Sequence, residues 1–345
     1  MTKSLRSILF CAGLVACLAS CRTGSTSTPT VAATDRIIPT RYKADRFFAT
    51  AVLPRGDTAV LFLDTGTGSY VWDLYIPYLE LTVKDTITNA RGVKTGVTPF
   101  PSFRADASLP TAITQTSQGT GLLVYPIDWR AQNNFGAWIG RETQGQLGSN
   151  WFNGRVWTID YPNRRLVLRG RSSANDGEPG REQPFNFPTD TAGRRIGHLG
   201  YVDVVIDGDT VAMLMDTGAT VWLSSAALAR VGDGGPSERS STHIDNWLFV
   251  RLRERHPDWP IIERADLWWG LSLIRVPNVS VGGHEVGPTW FSVLAGGPAT
   301  PPTQPPSVPA WMKRRGGTLG GSLLKHFVVT LDYPRGIVRF YKPSS

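Results

Sequence analysis

The triplet Asp-Thr-Gly occurs twice in this chain, at Asp64-Thr65-Gly66 and Asp216-Thr217-Gly218, each time directly after an apolar run, AVLFL before the first and VAMLM before the second. The repetition extends well beyond the triplets. Each half reads as a strand, a Gly/Asp turn, a strand ending in the triplet, a long variable stretch, a Leu-Gly pair and a closing strand near Asp-Tyr-Pro. Leu147-Gly148 corresponds to Leu319-Gly320, and Asp160-Tyr161-Pro162 to Asp332-Tyr333-Pro334. The chain is an internal duplication, and a duplicated strand-rich unit folds as two similar lobes.

Composition supports a loop-rich β protein, with 36 Gly, 25 Pro and 12 Trp among 345 residues. A Gly/Pro/charged stretch at 169–184 separates the two repeat units. We divide the chain into a leader (1–20), a polar tether (21–44), a first lobe (45–170), a linker (171–184) and a second lobe (185–345). The second copy is longer between its triplet and its Leu-Gly pair, which implies an inserted loop or helix. SSAALARV, just after the second triplet, reads as a short helix, and the stretch from Ile244 to Trp269 as partly helical. Residues 296–317 form a proline-rich segment expected to decorate the surface as a rigid loop.

Two carboxylates supplied by two similar half-domains meet the requirement of an acid/base dyad that activates water. A pair about 3 Å apart cannot both ionise cheaply, so one proton is shared. Gly66 and Gly218 are expected to give the turns dihedrals closed to other residues and to bring backbone N–H groups near the carboxylates. Thr65 and Thr217 offer hydroxyls that can bond across to the opposite loop. After the first triplet comes Thr67, whose hydroxyl can support Asp64. After the second comes Ala219, so Asp216 must rely on backbone donors and on Thr220 where it reaches.

The doubled triplet with its matched Leu-Gly pairs and closing strands resembles the pepsin-like and retropepsin-like aspartic peptidases over roughly residues 45–342. The resemblance implies an all-β, bilobal, mostly antiparallel fold with short helices, Asp64 and Asp216 at the base of a cleft, and Leu147-Gly148 and Leu319-Gly320 threaded beside the catalytic loops. It implies an endopeptidase that needs no metal or cofactor, acts on peptides or unfolded proteins, and uses general acid/base chemistry without a covalent intermediate. The shared proton is the known behaviour of that family and is borrowed here. Since one chain carries both aspartates, no obligate homodimer is expected. The family pattern also includes a flap from the first lobe, which we look for near Gly119–Gly121. Tyr70, Tyr75, Tyr78 and Tyr125 do not sit in an evident hairpin, and Trp129 and Trp138 are candidates for either cleft or core. Two other classes stay open: a catalytically silent binding protein with the same fold, and a polysaccharide hydrolase with two more widely spaced carboxylates.

The N-terminus reads as an address. MTKSLRS is basic, ILFCAGLVACLA is apolar, and Leu18-Ala19-Ser20-Cys21 resembles a bacterial lipoprotein signal, with cleavage before Cys21 and acylation of that residue. This places the protein in the cell envelope, lipid-anchored, on the periplasmic face of a membrane. Cys11, Cys17 and Cys21 are the only cysteines, so the folded region has no disulfide or thiol chemistry. The excess of 36 Lys and Arg over 28 Asp and Glu suits an anionic surface. Arginine pairs are scattered without interleaved aromatics, which disfavours nucleic acid. The five histidines show no metal-ligand spacing, and no GxSxG elbow is present.

Overall fold

The computed structural model describes residues 35–88, 92, 94–105, 109–111, 121–127, 142–170, 179–294, 297–301, 303 and 308–344. The leader, Cys21, Trp129 and Trp138 lie outside the described residues, as does most of the segment expected to carry the flap. Within them the chain is mostly β and two-lobed, with short helices.

Each lobe is organised around the strand that ends at its triplet. In the first lobe Arg46–Val52 and Thr58–Asp64 form a hairpin, and Thr58–Asp64 then runs parallel to Gly145–Gly148. In the second, Tyr201–Ile206 and Asp209–Met215 form a hairpin, and Asp209–Met215 runs parallel to Arg315–Leu319. The second hairpin closes through Asp207-Gly208 with φ of 51° and 79°. This is the two-residue Asp-Gly connection whose twist matches that of antiparallel strands.

The Leu-Gly pairs divide their work. Leu147 and Leu319 are fully buried in the core. A Cβ on Gly148 would collide with the backbone of Thr67 and Gly68, and one on Gly320 with the Ser241 carbonyl. Only glycine lets these strands pass so close to the triplet loops.

A third strand completes the frame in each lobe, and its origin differs. In the first lobe Tyr70–Trp72, directly after the triplet loop, pairs antiparallel with Gly145–Gly148 and parallel with Leu122–Tyr125. In the second lobe the same double pairing is made by Thr242–Asp245, antiparallel to Arg315–Leu319 and parallel to Thr289–Leu294. Residues 220–241 are the insertion that lengthens the second copy. They carry a small two-stranded sheet, Thr220–Trp222 with Glu238–Ser240, and the helix Ser225–Val231. That helix starts on Ser224, whose side chain accepts from Ala227 N at 3.2 Å, and ends at Gly232 with φ 66°. A second helix spans Asn246–Arg255.

The lobes join in a six-stranded sheet to which both contribute. Its centre is the antiparallel pair Val156–Asp160 and Val328–Asp332, where Thr158 faces Thr330 and their hydroxyls bond at 2.9 Å. One continuous apolar core includes Trp151, Trp157, Phe327 and Phe340 and extends through both lobes.

Three segments differ from the sequence reading. Arg36–Ile38 and Thr40–Lys43, assigned to the polar tether, are strands paired with Arg165–Arg169 and Arg46–Val52, and Ile38 is buried. Arg181–Pro184, assigned to the linker, pairs with Ile337–Tyr341. At the end of the proline-rich stretch, Trp311 packs on Tyr201 at 4.9 Å and the chain from Arg315 onward is sheet, not surface loop. Except for the hairpin of Thr40–Lys43 with Arg46–Val52, the partner strands are remote in sequence, so local composition does not reveal the pairing.

Candidate active site

The ends of strands Thr58–Asp64 and Asp209–Met215 meet where the lobes meet, and the two triplet loops interlock. Thr65 N donates to Thr217 Oγ1 and Thr217 N to Thr65 Oγ1, both at 3.1 Å. Each hydroxyl passes its own proton on to the opposite strand, Thr65 to Met215 O at 2.8 Å and Thr217 to Leu63 O at 3.0 Å. Three buried polar groups on each side are thereby satisfied by the other through four hydrogen bonds, which fixes the loops against one another.

This interlock brings the carboxyls of Asp64 and Asp216 side by side, each against the glycine of the opposite triplet. Asp64 is 7 % exposed and Asp216 partly exposed to the cleft. Gly66 N donates to Asp64 Oδ1 at 2.8 Å and Gly218 N to Asp216 Oδ1 at 3.1 Å. The glycines serve a second purpose that differs from the one expected. Neither has a positive φ. Instead a Cβ on Gly66 would collide with the Asp216 carboxyl, and one on Gly218 with the Asp64 carboxyl. Each glycine is the space into which the opposite carboxyl fits.

Burial raises the proton affinity of both groups, and Asp216 is raised further by the charge of Asp64. The donors are unequal. Besides the glycine N–H that each carboxyl receives, the nearby Thr67 backbone and hydroxyl favour ionised Asp64, whereas Asp216 has only the nearby Ala219 backbone. More donors favour the ionised form, so the environment directs the negative charge to Asp64 and the shared proton to Asp216.

Two contributors were not legible in the sequence. Gln146, buried beside Leu147, accepts from Tyr70 OH at 3.2 Å and donates through Nε2 to the Thr67 hydroxyl and, at 3.2 Å, to Gly68 O. The Thr67 hydroxyl donates to the same Gly68 carbonyl at 3.3 Å and lies close enough to Asp64 to favour its ionised form. On the second side Thr220 does not support Asp216. Its hydroxyl donates to Gly218 O at 2.8 Å and accepts from Arg46 Nη1 at 3.2 Å. Arg46 is fully buried and also ion-pairs with Glu238. A buried arginine of the first lobe thus braces the second triplet loop, where Ala219 has no hydroxyl to do so.

The carboxyl pair opens into a cavity of about 370 Å³. One part of its wall is apolar, with Phe62, Trp268, Trp269 and Leu271, and another polar, with Gln146, His243 and Thr318. Trp268 stacks edge-on against Trp222 at 4.6 Å, and Asp266, buried beneath, draws the Trp268 and Trp269 N–H groups into a turn that presents the indoles. No group of three or more His, Cys, Asp and Glu side chains suited to a metal occurs among the described residues.

No known family model matches the sequence, and no curated protein matches it. Among solved structures, the chain is similar to conglutin gamma, a basic 7S globulin from lupine seeds, at 11 % identity and a TM-score of 0.47, covering 90 % of this chain and 95 % of that one. It is also similar to an aspartic proteinase from Irpex lacteus, at 11 % identity and a TM-score of 0.44, covering 90 % of this chain and 98 % of that one.

Proposed function

We propose that this protein is an aspartic-type endopeptidase, with Asp64 and Asp216 as its catalytic residues. The observation that carries the reading is the pair of carboxyls, each packed against the opposite triplet's glycine, lining one open cavity. Ionised Asp64 takes a proton from a water while the water oxygen attacks the scissile carbonyl carbon. Protonated Asp216 donates to the carbonyl oxygen as negative charge develops there. Collapse of the tetrahedral intermediate breaks the C–N bond, and the leaving nitrogen takes a proton from the dyad. Thr65 and Thr217 lock the loops, Gly66 and Gly218 make room for the carboxyls, and Thr67 steers the charge.

Carboxyls packed this closely against each other's triplet glycines suit one shared water, and not glycoside hydrolysis, which needs about 5–9.5 Å between them. A silent binding protein would have no use for a pair whose proton affinity is raised at a solvent-accessible cavity, and such pairs mark functional sites. We further propose that the two lobes span 45–170 and 185–345, that the enzyme acts as a monomer, and that Cys21 carries the lipid that holds it in the bacterial envelope.

The test is cleavage of a denatured protein mixture from pH 3 to 8 by the full chain in detergent, beside its D64N and D216N forms and with a statine-type inhibitor. Inhibitor-sensitive cleavage lost in both variants supports the reading. A well-folded wild type that cleaves nothing, or a D64N form that cleaves as well as the parent, overturns it.

A further inference from the structure

The two lobes place equivalent residue pairs on equivalent strands beside the carboxyls, but furnish them differently. In the first lobe Tyr70 lies directly opposite Gln146; in the second His243 lies directly opposite Thr318. Directly opposed residues of an antiparallel pair project from the same face of the sheet. On the first side the two side chains bond to each other, and Gln146 spends its amide on Thr67 and Gly68. On the second side neither has a protein partner: His243 Nδ1 and Thr318 Oγ1 are both buried and unbonded, in the wall of the same cavity as Asp216. His243 is 7 % exposed. A buried polar group left unpaired costs about 1–3 kcal/mol, so two of them on adjacent residues of the cavity wall favour a bound group that a small turn of either side chain would let them meet.

We propose that His243 and Thr318 form a polar subsite on the second-lobe wall of the cleft, which receives an uncharged hydrogen-bonding side chain, a hydroxyl or a carboxamide, of the bound peptide. The proposal rests on the peptidase reading and gives it a substrate class. Burial pulls His243 down to about 4, so above that pH the ring is neutral. A neutral imidazole offers one donor and one acceptor, and a threonine hydroxyl offers both, which suits serine, threonine, asparagine or glutamine. A charged side chain would find no opposite charge on His243 or Thr318 to pair with. The indoles of Trp268 and Trp269, with Phe62 and Leu271, line the apolar part of the same cavity. The enzyme therefore selects a peptide with an apolar side chain at one position and a small neutral polar one at another.

Two measurements on the full chain in detergent decide this. The first is mass-spectrometric cleavage profiling on a proteome-derived peptide library for the wild type, T318V and H243L. One position relative to the scissile bond should be enriched in Ser, Thr, Asn and Gln. Each variant should lower kcat/KM for such peptides about tenfold or more, while matched peptides with Ala, Val or Leu there change less than about threefold. A profile with no such enrichment, or one unchanged in both variants, overturns the subsite. The second is binding of the same matched peptides to D64N and to D64N/T318V, read by fluorescence anisotropy. If the wild type cleaves nothing, the peptidase reading falls, and binding alone decides. Polar peptides held about tenfold tighter than their isosteres by D64N, with the margin lost in D64N/T318V, sustain the subsite; equal binding or none removes it. Should H243L fail to fold, T318V, which changes a hydroxyl to a methyl at equal shape, decides alone.

Discussion

Arg46 of the first lobe donates to the hydroxyl of Thr220 in the second at 3.2 Å, and through it braces the carbonyl of Gly218 in the second triplet loop. The guanidinium has left water entirely and is held by Glu238, which retains only 15 % of its side-chain exposure. Removing one member of such a pair leaves the other charge stranded, at a cost of several kcal/mol when the site is dry. We expect Arg46→Met to lose about 2–4 kcal/mol in urea unfolding, and Arg46→Met with Glu238→Leu to regain part of it. Equal stability of parent and Arg46→Met would show that the pair braces nothing.

Gly66 and Gly218 give a sharper test of the dyad. A single methyl at either position would collide with the carboxyl of the opposite aspartate. Gly218→Ala should therefore drive Asp64 away from Asp216 and cut kcat by about a hundredfold or more, as misplacement by about 1 Å does. The threonine interlock lies in neighbouring residues and should keep the fold, which circular dichroism would verify. A folded Gly218→Ala enzyme with parental kcat would mean that the two carboxyls need not touch.

Much of this site is legible in the sequence because duplication repeats it: the aspartates, the threonines that interlock and the Leu-Gly pairs each occur twice. What is not legible depends on pairing between distant segments. Gln146 acquires its role only because Gly145–Gly148 lies between Thr58–Asp64 and Tyr70–Trp72. Arg46 opens an apolar strand, RFFATAV, and nothing local distinguishes a buried arginine from an exposed one at a strand end. The partner of Thr318 was hidden by residues 220–241, which move the strand equivalent to Tyr70–Trp72 far down the chain. The tether was drawn too long for a similar reason: Arg36–Ile38 is short, and its partner Arg165–Arg169 is remote.

The shared proton should appear in stability as well as in rate. Burial, then the Asp64 charge, raise Asp216 well above the usual carboxylate range. An unfolded carboxyl releases its proton near pH 4, whereas the folded pair keeps one. The stabilisation from this retained proton is fully present below about pH 4 and is lost as pH rises toward the folded value. Each unit of difference is worth about 1.4 kcal/mol. Asp216→Asn carries no such penalty, so it should unfold at higher urea than the parent at pH 7.5, with the gap closing toward pH 4. Urea midpoints that differ by a constant amount from pH 4 to 8 would show that the pair holds no extra proton.

Thr67 tests the division of labour within the pair. Its hydroxyl lies beside Asp64 and favours the ionised form, while sharing the Gly68 carbonyl as an acceptor with Gln146. Thr67→Val keeps the shape and removes the donor. With one donor fewer, ionised Asp64 is less favoured and its proton affinity rises. The acid limb of kcat/KM, which reports the loss of the ionised base in the free enzyme, should then move to higher pH by about one to two units, the equivalent of one hydrogen bond to a charged group. Gln146→Leu should move it the same way by less, because the Gly68 carbonyl, relieved of its bond from Gln146, then draws the hydroxyl more strongly. Carbon-13 titration of the Asp64 carboxyl provides the same reading without turnover. An acid limb that stays in place in Thr67→Val would assign the stabilisation of Asp64 to the backbone N–H groups of Gly66 and Thr67 alone.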